Sequence, residues 1–257
     1  MSDTTRTGLL ATDLTVRYGG VVANSGVNLH VAPGQVVGLI GPNGAGKTTF
    51  VDAVTGFTAC EGTIELDGER VETSPPHQRR AAGLARTWQA GELFGNLSVA
   101  ENLLVSARSV GFRSLWHDMF GRTRRSDRAM IDAILEKVGL EGVADTLTRD
   151  LTLGQQKLVG VARALAGRCE VLLLDEPAAG LDSNESQEFA VRVRAIAAEG
   201  PGILLIDHDM SLVLNVSDVV YVMEFGKIIF SGTPEDARVD PAVVGAYLGV
   251  PMESADV

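Results

Sequence analysis

The run Gly41-Pro42-Asn43-Gly44-Ala45-Gly46-Lys47-Thr48 fits G-x-x-x-x-G-K-[ST], and it constrains the fold more than any other part of the chain. The pattern has chemical meaning only between a buried strand and a helix. Gln35 to Ile40 (QVVGLI) is a nearly continuous apolar run, as expected of a strand covered on both faces. KTTFVDAVTG then reads as the helix. Glycines let backbone N–H groups turn inward on a phosphate, and the helix N-terminus points its positive end at the same anion. Lys47 adds a full charge at the β- and γ-phosphates. The Thr48 hydroxyl is suited to Mg²⁺, and Thr49 adds a donor. The loop Gly41 to Thr49 is therefore predicted to hold a nucleotide by its phosphates.

A second acidic element complements it. VLLLDEP (171–177) reads as a buried strand ending in acids. A carboxylate at such a tip can hold Mg²⁺ through its waters, which suits Asp175. Glu176 would sit beside a γ-phosphate, where it can orient and deprotonate a water. GILLIDHD (202–209) is another strand of this kind, with His208 near its end. Strands alternating with helices, with polar residues at the strand tips, predict a doubly wound sheet that binds ligands at its carboxyl edge.

The flanking segments read differently. Leu9, Ala11, Leu14 and Val16 alternate roughly as in a strand, and VNLHV follows a Gly-Gly turn. GTIELDG, Glu69 to Val71 and Leu84 to Trp88 are predicted as further short strands. DVVYVMEFGKIIFSG reads as a hairpin with Phe225-Gly226 near its turn. From about Gly91 to Thr148 the spacing becomes helical, as at Met130, Ile131, Ile134, Leu135 and Val138, which predicts an inserted helical lobe.

Bulk composition sets limits on function. With 257 residues, 45% of them hydrophobic and 21% charged, the chain is sized for one large α/β domain or a domain with a lobe. A net charge of -11, from 22 basic and 33 acidic residues, argues against a nucleic-acid binder. Cys60 and Cys169 lie in no metal-type spacing and read as small buried hydrophobes in a reducing compartment. No stretch approaches the ~18 to 20 apolar residues that span a bilayer. The start MSDTTRTGLL lacks the apolar region of a signal peptide. The expectation is a cytoplasmic chain whose membrane role, if any, comes through a partner.

Along nearly its whole length the chain resembles the ATPase subunit of ATP-binding cassette (ABC) transporters. Leu151 to Gln156 (LTLGQQ), followed by KLVGVARALA, is similar to that family's signature motif, L-S-G-G-Q. Thr152 stands for the serine and keeps its hydroxyl. Gly154 keeps one close-approach position, and Leu153 removes the other. A helix beginning here would aim its N-terminus outward at an anion. The resemblance implies an α/β P-loop NTPase fold: a RecA-like parallel sheet core, an antiparallel β subdomain and an inserted helical subdomain. It divides a single ABC ATPase domain into a core (1–90 and 168–238), a helical lobe (91–167) and a tail (239–257).

The resemblance also implies roles. Tyr18 matches the aromatic that stacks on adenine; its plain alternative is an edge-strand tyrosine. Gln89 matches the glutamine that touches Mg²⁺ or the attacking water and senses a transmembrane partner; otherwise it is a loop residue. His208 matches the switch histidine at the γ-phosphate, where a lone histidine is otherwise structural. Ala179-Gly180-Leu181-Asp182 matches the loop that crosses between subunits. Thr152, Gly154 and Gln155 would serve the nucleotide of a second ATPase subunit, packed head to tail. ATP or ADP with Mg²⁺ are the implied ligands. The implied partners are that second subunit, the same or related, transmembrane permeases and, indirectly, a substrate-binding protein, with the chain peripheral on the inner face of the membrane.

Within that family LFGNLSVAENLLV, GFRSLWHDMF and the late run IDHDM, VMEFGKII and AYLG resemble the ATPases of branched-chain amino acid importers and their urea and amide relatives. Lipopolysaccharide-export ATPases share the tail but have a shorter insertion, and single-cassette Fe–S assembly ATPases are the rival outside transport. Phe112, Leu115, Trp116, Met119 and Phe120 have helical spacing and suit either a lobe core or a surface for a membrane subunit. Arg122, Arg124, Arg125 and Arg128 read first as a solvated helix start, and otherwise as a face for lipid or an acidic loop.

Overall fold

The computed structural model describes residues 6–87, 93–107 and 125–248. It opens with β1 (Leu9–Tyr18) and β2 (Val21–Val31), joined at Gly19-Gly20, and continues into β3 (Val36–Ile40) and α1 (Lys47–Thr55). β4 (Glu61–Leu66), β5 (Glu69–Arg70), α2 (Pro76–Ala82) and β6 (Leu84–Thr87) follow, then the helices α3 (Val99–Ala107), α4 (Arg125–Val138) and α5 (Leu153–Leu165). The α/β pattern then resumes with β7 (Val171–Asp175), α6 (Ser183–Ala198), β8 (Gly202–Ile206) and α7 (Met210–Val216). β9 (Val219–Glu224), β10 (Lys227–Gly232), α8 (Pro234–Val239) and α9 (Pro241–Leu248) complete the described chain.

The described strands form two sheets. One is antiparallel, in the order β2-β1-β4-β5. The other runs β10-β9-β3-β8-β7-β6, parallel throughout except for the β9–β10 hairpin. Side chains alternate across a strand, and the central strands use both faces. Val36 and Ile40 of β3, Leu172 and Leu174 of β7, and Ile203 and Leu205 of β8 face one core. Val37 and Leu39, Val171 and Leu173, and Leu204 and Ile206 face the other. The first core is closed by helices, including Leu103 of α3, Ile131 and Leu135 of α4, Val159 of α5 and Val193 of α6. The second is closed by the antiparallel sheet and Phe50, Val51 and Val54 of α1. The apolar runs of the sequence are therefore continuous because no face of these strands meets water. Gly38 lets α7 lie against β3: a Cβ there would stand 2.3 Å from Val213 Cγ1 and 2.7 Å from Ser217 Oγ.

Two features depart from the sequence reading, the burial of the thiols and one helix, and several of its residues lie outside the description. β6 is described as far as Thr87; Trp88 and Gln89 lie outside the described residues, as do Phe112, Leu115, Trp116, Met119, Phe120, Arg122 and Arg124. Arg128 of the basic cluster is solvent-facing near the start of α4, as the first of the two sequence readings expects, and pairs with Asp132 and Asp145. The two thiols are partly rather than fully buried; burial raises Cys60 and pushes Cys169 up to about 11. Helix α2 was not anticipated, although Pro76 at its start and Gly83 after its end are the ordinary marks of a helix.

α2 exists to deliver Arg79. This guanidinium is buried and binds only carbonyls: Nε donates to Ser74 O (2.8 Å), Nη1 to Ala53 O and Val54 O (both 2.7 Å), and Nη2 to Glu72 O (2.7 Å). A cation thus sits at the negative end of α1 and satisfies carbonyls that the helix leaves open. Arg79→Met should strand several buried acceptors and cost about 3 kcal/mol of stability in urea unfolding. A loss below about 1 kcal/mol would show that water replaces the guanidinium at no cost.

Candidate functional site

The loop from Gly41 to Gly46 joins the buried end of β3 to the first turn of α1, at the carboxyl edge of the parallel sheet. At Gly41 (φ 154°) a Cβ would stand 2.1 Å from the Met223 carbonyl oxygen, so only glycine lets the loop lie against β9. Two further ties hold it. Gly226 N–H, in the β9–β10 turn, donates to Ala45 O at 2.8 Å. Asn24 Nδ2, fully buried on β2, donates to Gly46 O at 3.1 Å. Asn43, Gly44 and Thr48 remain exposed, so the mouth of the loop is open, and Thr49 is half-buried beside it. The helix offers its unpaired N–H groups there.

Lys47 folds back over this loop. Its Nζ donates to Gly41 O at 2.7 Å and Pro42 O at 3.1 Å. Burial lowers its pKa, while the carboxylates of Glu176 and Asp175 pull it the other way. The loop, its lysine and both acids therefore share one electrostatic environment.

Asp175 ends β7, paired in register with Ile206 of β8. Its Oδ2 accepts from Arg86 Nη2 at 2.8 Å, and Arg86 Nη1 donates to Asp52 Oδ1 at 2.6 Å. Glu176 follows with φ 47°, a left-handed backbone that a non-glycine residue adopts only at a cost. Its N–H donates to Ile206 O at 2.7 Å, which pins that turn to the tip of β8. At the same tip Asp207 is buried. Its carboxylate accepts from Ala178 N–H (3.3 Å) and Asp209 N–H (3.0 Å), and the His208 ring Nδ1 lies 3.4 Å away. The His208 ring is itself mostly exposed. Lys157 of α5 faces the same acids: burial lowers its pKa, and Asp207 and Glu176 partly offset this.

The remaining sequence candidates divide. Tyr18 stands at the end of β1, half-exposed, its hydroxyl 3.2 Å from Thr58 Oγ1 beyond the end of α1. Thr152 is the N-cap of α5. Its hydroxyl accepts from Gln155 N–H (3.2 Å), and its own N–H donates to Gln155 Oε1 (3.1 Å), a closed capping box. Gln155 thus spends its side chain inside the helix start. Gly154 faces Glu185 of α6, and Leu153 reaches Gly180. These contacts set the α5 start against α6 and its preceding loop.

Asn24, Arg86 and Asp207 escaped the sequence reading. Arg86 had a signal: a cation inside the short apolar strand LART must find acids when buried. Tyr247 of α9 escaped it as well. Burial pushes its hydroxyl up to about 12, with the Gly41 backbone pulling it down, so the end of the described chain reaches the start of the loop.

Residues 24–179 match the family described as ABC transporter. Residues 227–252 match the family described as branched-chain amino acid ATP-binding cassette transporter. The chain is 40% identical over 243 residues to the high-affinity branched-chain amino acid transport ATP-binding protein BraF of Pseudomonas aeruginosa, across 92% of this chain and 95% of that protein. It is 39% identical over 244 residues to the corresponding protein LivG of Escherichia coli, again across 92% and 95%. Among solved structures, the ADP conformation of an ATP-binding cassette of an ABC transporter is similar with a TM-score of 0.85 and 29% identity, over 95% of this chain and 99% of that one.

The fit at Gly41 makes a direct prediction. Gly41→Ala should displace the loop from β9 and remove the thermal stabilisation that added ATP confers on the parent protein. A variant with the parental ATP-induced shift in Tm would show that the loop tolerates the added carbon.

Proposed function

The chain belongs to the ATP-binding cassette transporter family as an ATPase subunit, and from that premise we propose that it powers uptake of branched-chain amino acids. The observation that supports this substrate class is the match over residues 227–252. That segment covers β10, α8 and α9 and includes Tyr247, which meets the loop at Gly41. The similarity to BraF and LivG along nearly the whole chain points the same way.

In this reading the N–H groups of Gly41 to Thr49 and the start of α1 hold the phosphates, and Lys47 leaves the carbonyls of Gly41 and Pro42 for the β- and γ-oxygens. Tyr18 stacks on the adenine. Glu176, set by its left-handed turn, takes a proton from the attacking water. His208, held at the tip of β8, donates to the γ-phosphate. Among the described residues no group of three His, Cys, Asp or Glu side chains could hold a metal ion. One carboxylate and one hydroxyl, Asp175 and Thr48, are nevertheless the hard oxygen donors that Mg²⁺ uses when phosphates supply the rest. Bound with the nucleotide, Mg²⁺ would neutralise charge developing on the phosphates. Gln89 is the further residue we assign to it and to partner sensing.

Thr152 and Gly154 complete the site from a second copy or a related ATPase. This fits the exposed Thr152 cap at the N-terminus of a 13-residue helix whose first turn lies against α6. No helix among the described residues is long and apolar enough to cross a membrane. Attachment to the inner face through permease subunits is part of the proposal.

Glu176→Gln should bind ATP with affinity within about threefold of the parent while turnover falls by about 10²-fold or more. Near-parental turnover would remove Glu176 as the base. With neighbouring permeases and a binding protein in proteoliposomes, leucine, isoleucine or valine should stimulate ATP hydrolysis. Stimulation only by an unrelated ligand would overturn the substrate class.

A further inference from the structure

The cleft of 660 Å³ that contains Asp175 and Glu176 is also lined by Arg86. Its side chain is 9% exposed and splits its two Nη groups between two carboxylates. Nη2 binds Asp175 Oδ2 at 2.8 Å; Nη1 binds Asp52 Oδ1 at 2.6 Å. Asp52 lies on α1, five residues after Lys47, and Asp175 ends β7. The contacts therefore join elements separated by 34 and 89 residues from Arg86. Asp175 is fixed at its backbone by pairing with Ile206, but its carboxylate needs a partner to set its plane, and its side chain is only 11% exposed. Arg86 supplies that partner at Oδ2, one of the two carboxylate oxygens. Asp52 in turn keeps the fork from rotating.

We propose that Arg86, held by Asp52, is the positioning residue that sets the Asp175 carboxylate for the cation accompanying the nucleotide. The proposal rests on the reading of Asp175 as a Mg²⁺ ligand. Outer partners of a ligating carboxylate fix its orientation, and their loss typically weakens metal use by about 10- to 100-fold. Lysine cannot replace arginine here, because a single ammonium cannot span two carboxylates as a planar fork does.

The test uses the full chain carrying Glu176→Gln, so that nucleotide is bound and not consumed. Binding of a fluorescent ATP analogue is titrated with Mg²⁺ and, separately, measured in EDTA. Adding Arg86→Met should raise the Mg²⁺ midpoint about tenfold and leave binding in EDTA within about twofold of the parent. Arg86→Lys should fall between the two. Asp52→Asn should move the midpoint the same way by a smaller factor, and adding it to Arg86→Met should produce no further shift. An unchanged or lowered midpoint, or an equal loss with and without Mg²⁺, overturns the proposal. Should Arg86→Met fail to fold, Asp52→Asn decides alone, and an unmoved midpoint there overturns it. If the Glu176→Gln parent shows no Mg²⁺ dependence at all, the reading of Asp175 falls as well.

Discussion

The parallel register of β3 between β8 and β9 is the constraint on which the rest depends. Leu39 pairs with Ile206 on one side and Tyr221 on the other, and Asp175 of β7 pairs with the same Ile206. These strands therefore end at one level. Gly41, Asp175, Glu176 and His208 leave the sheet side by side because that register holds. A slip of one residue would turn each strand's two apolar sets into the wrong cores and separate these groups. The register is fixed by burial: every residue of β3 and β8 is inaccessible, and the two cores divide them alternately.

Around that edge the buried ions among the described residues have partners. Lys47 lies on two carbonyls and faces two acids. Arg86 bridges Asp52 and Asp175, and Asp207 receives backbone donors from both sides. Such networks cost desolvation and add little net stability, but they fix geometry, and breaking one partner is costly. Lys47, Lys157 and Arg86 thus each face carboxylates at this edge, in a chain of net charge -11. In the proposed reading, phosphate would be selected by directed N–H groups and one lysine, not by overall charge.

The sequence made part of this legible and hid the rest for a physical reason. The phosphate loop, the strand-end acids and the apolar strands are local patterns, set by residues within a few positions of one another, and they appear where the spacing places them. Arg79, Arg86, Asn24 and Asp207 act across the fold. Arg79 meets Ala53 from 26 residues away, and Asn24 meets Met223 from 199. No window of sequence contains both partners. A buried arginine or aspartate announces only that some partner exists. Thr152 shows a third case: its hydroxyl was visible as a donor for phosphate, but its use as a helix cap with Gln155 needed the backbone geometry.

In the proposed reading the phosphate loop alone is half of a site. Its mouth is open at Gly44 and Thr48, while the cap at Thr152 looks outward from another part of the same chain. A second subunit arranged head to tail would close both openings with ATP between them, and the nucleotide would then be the main contact that holds the pair together. Light scattering of purified Glu176→Gln tests this most directly. Without nucleotide the mass should be that of the 27.1 kDa chain, and saturating Mg²⁺-ATP should double it. A protein that binds ATP fully and stays at the mass of one chain would contradict a site shared between two copies.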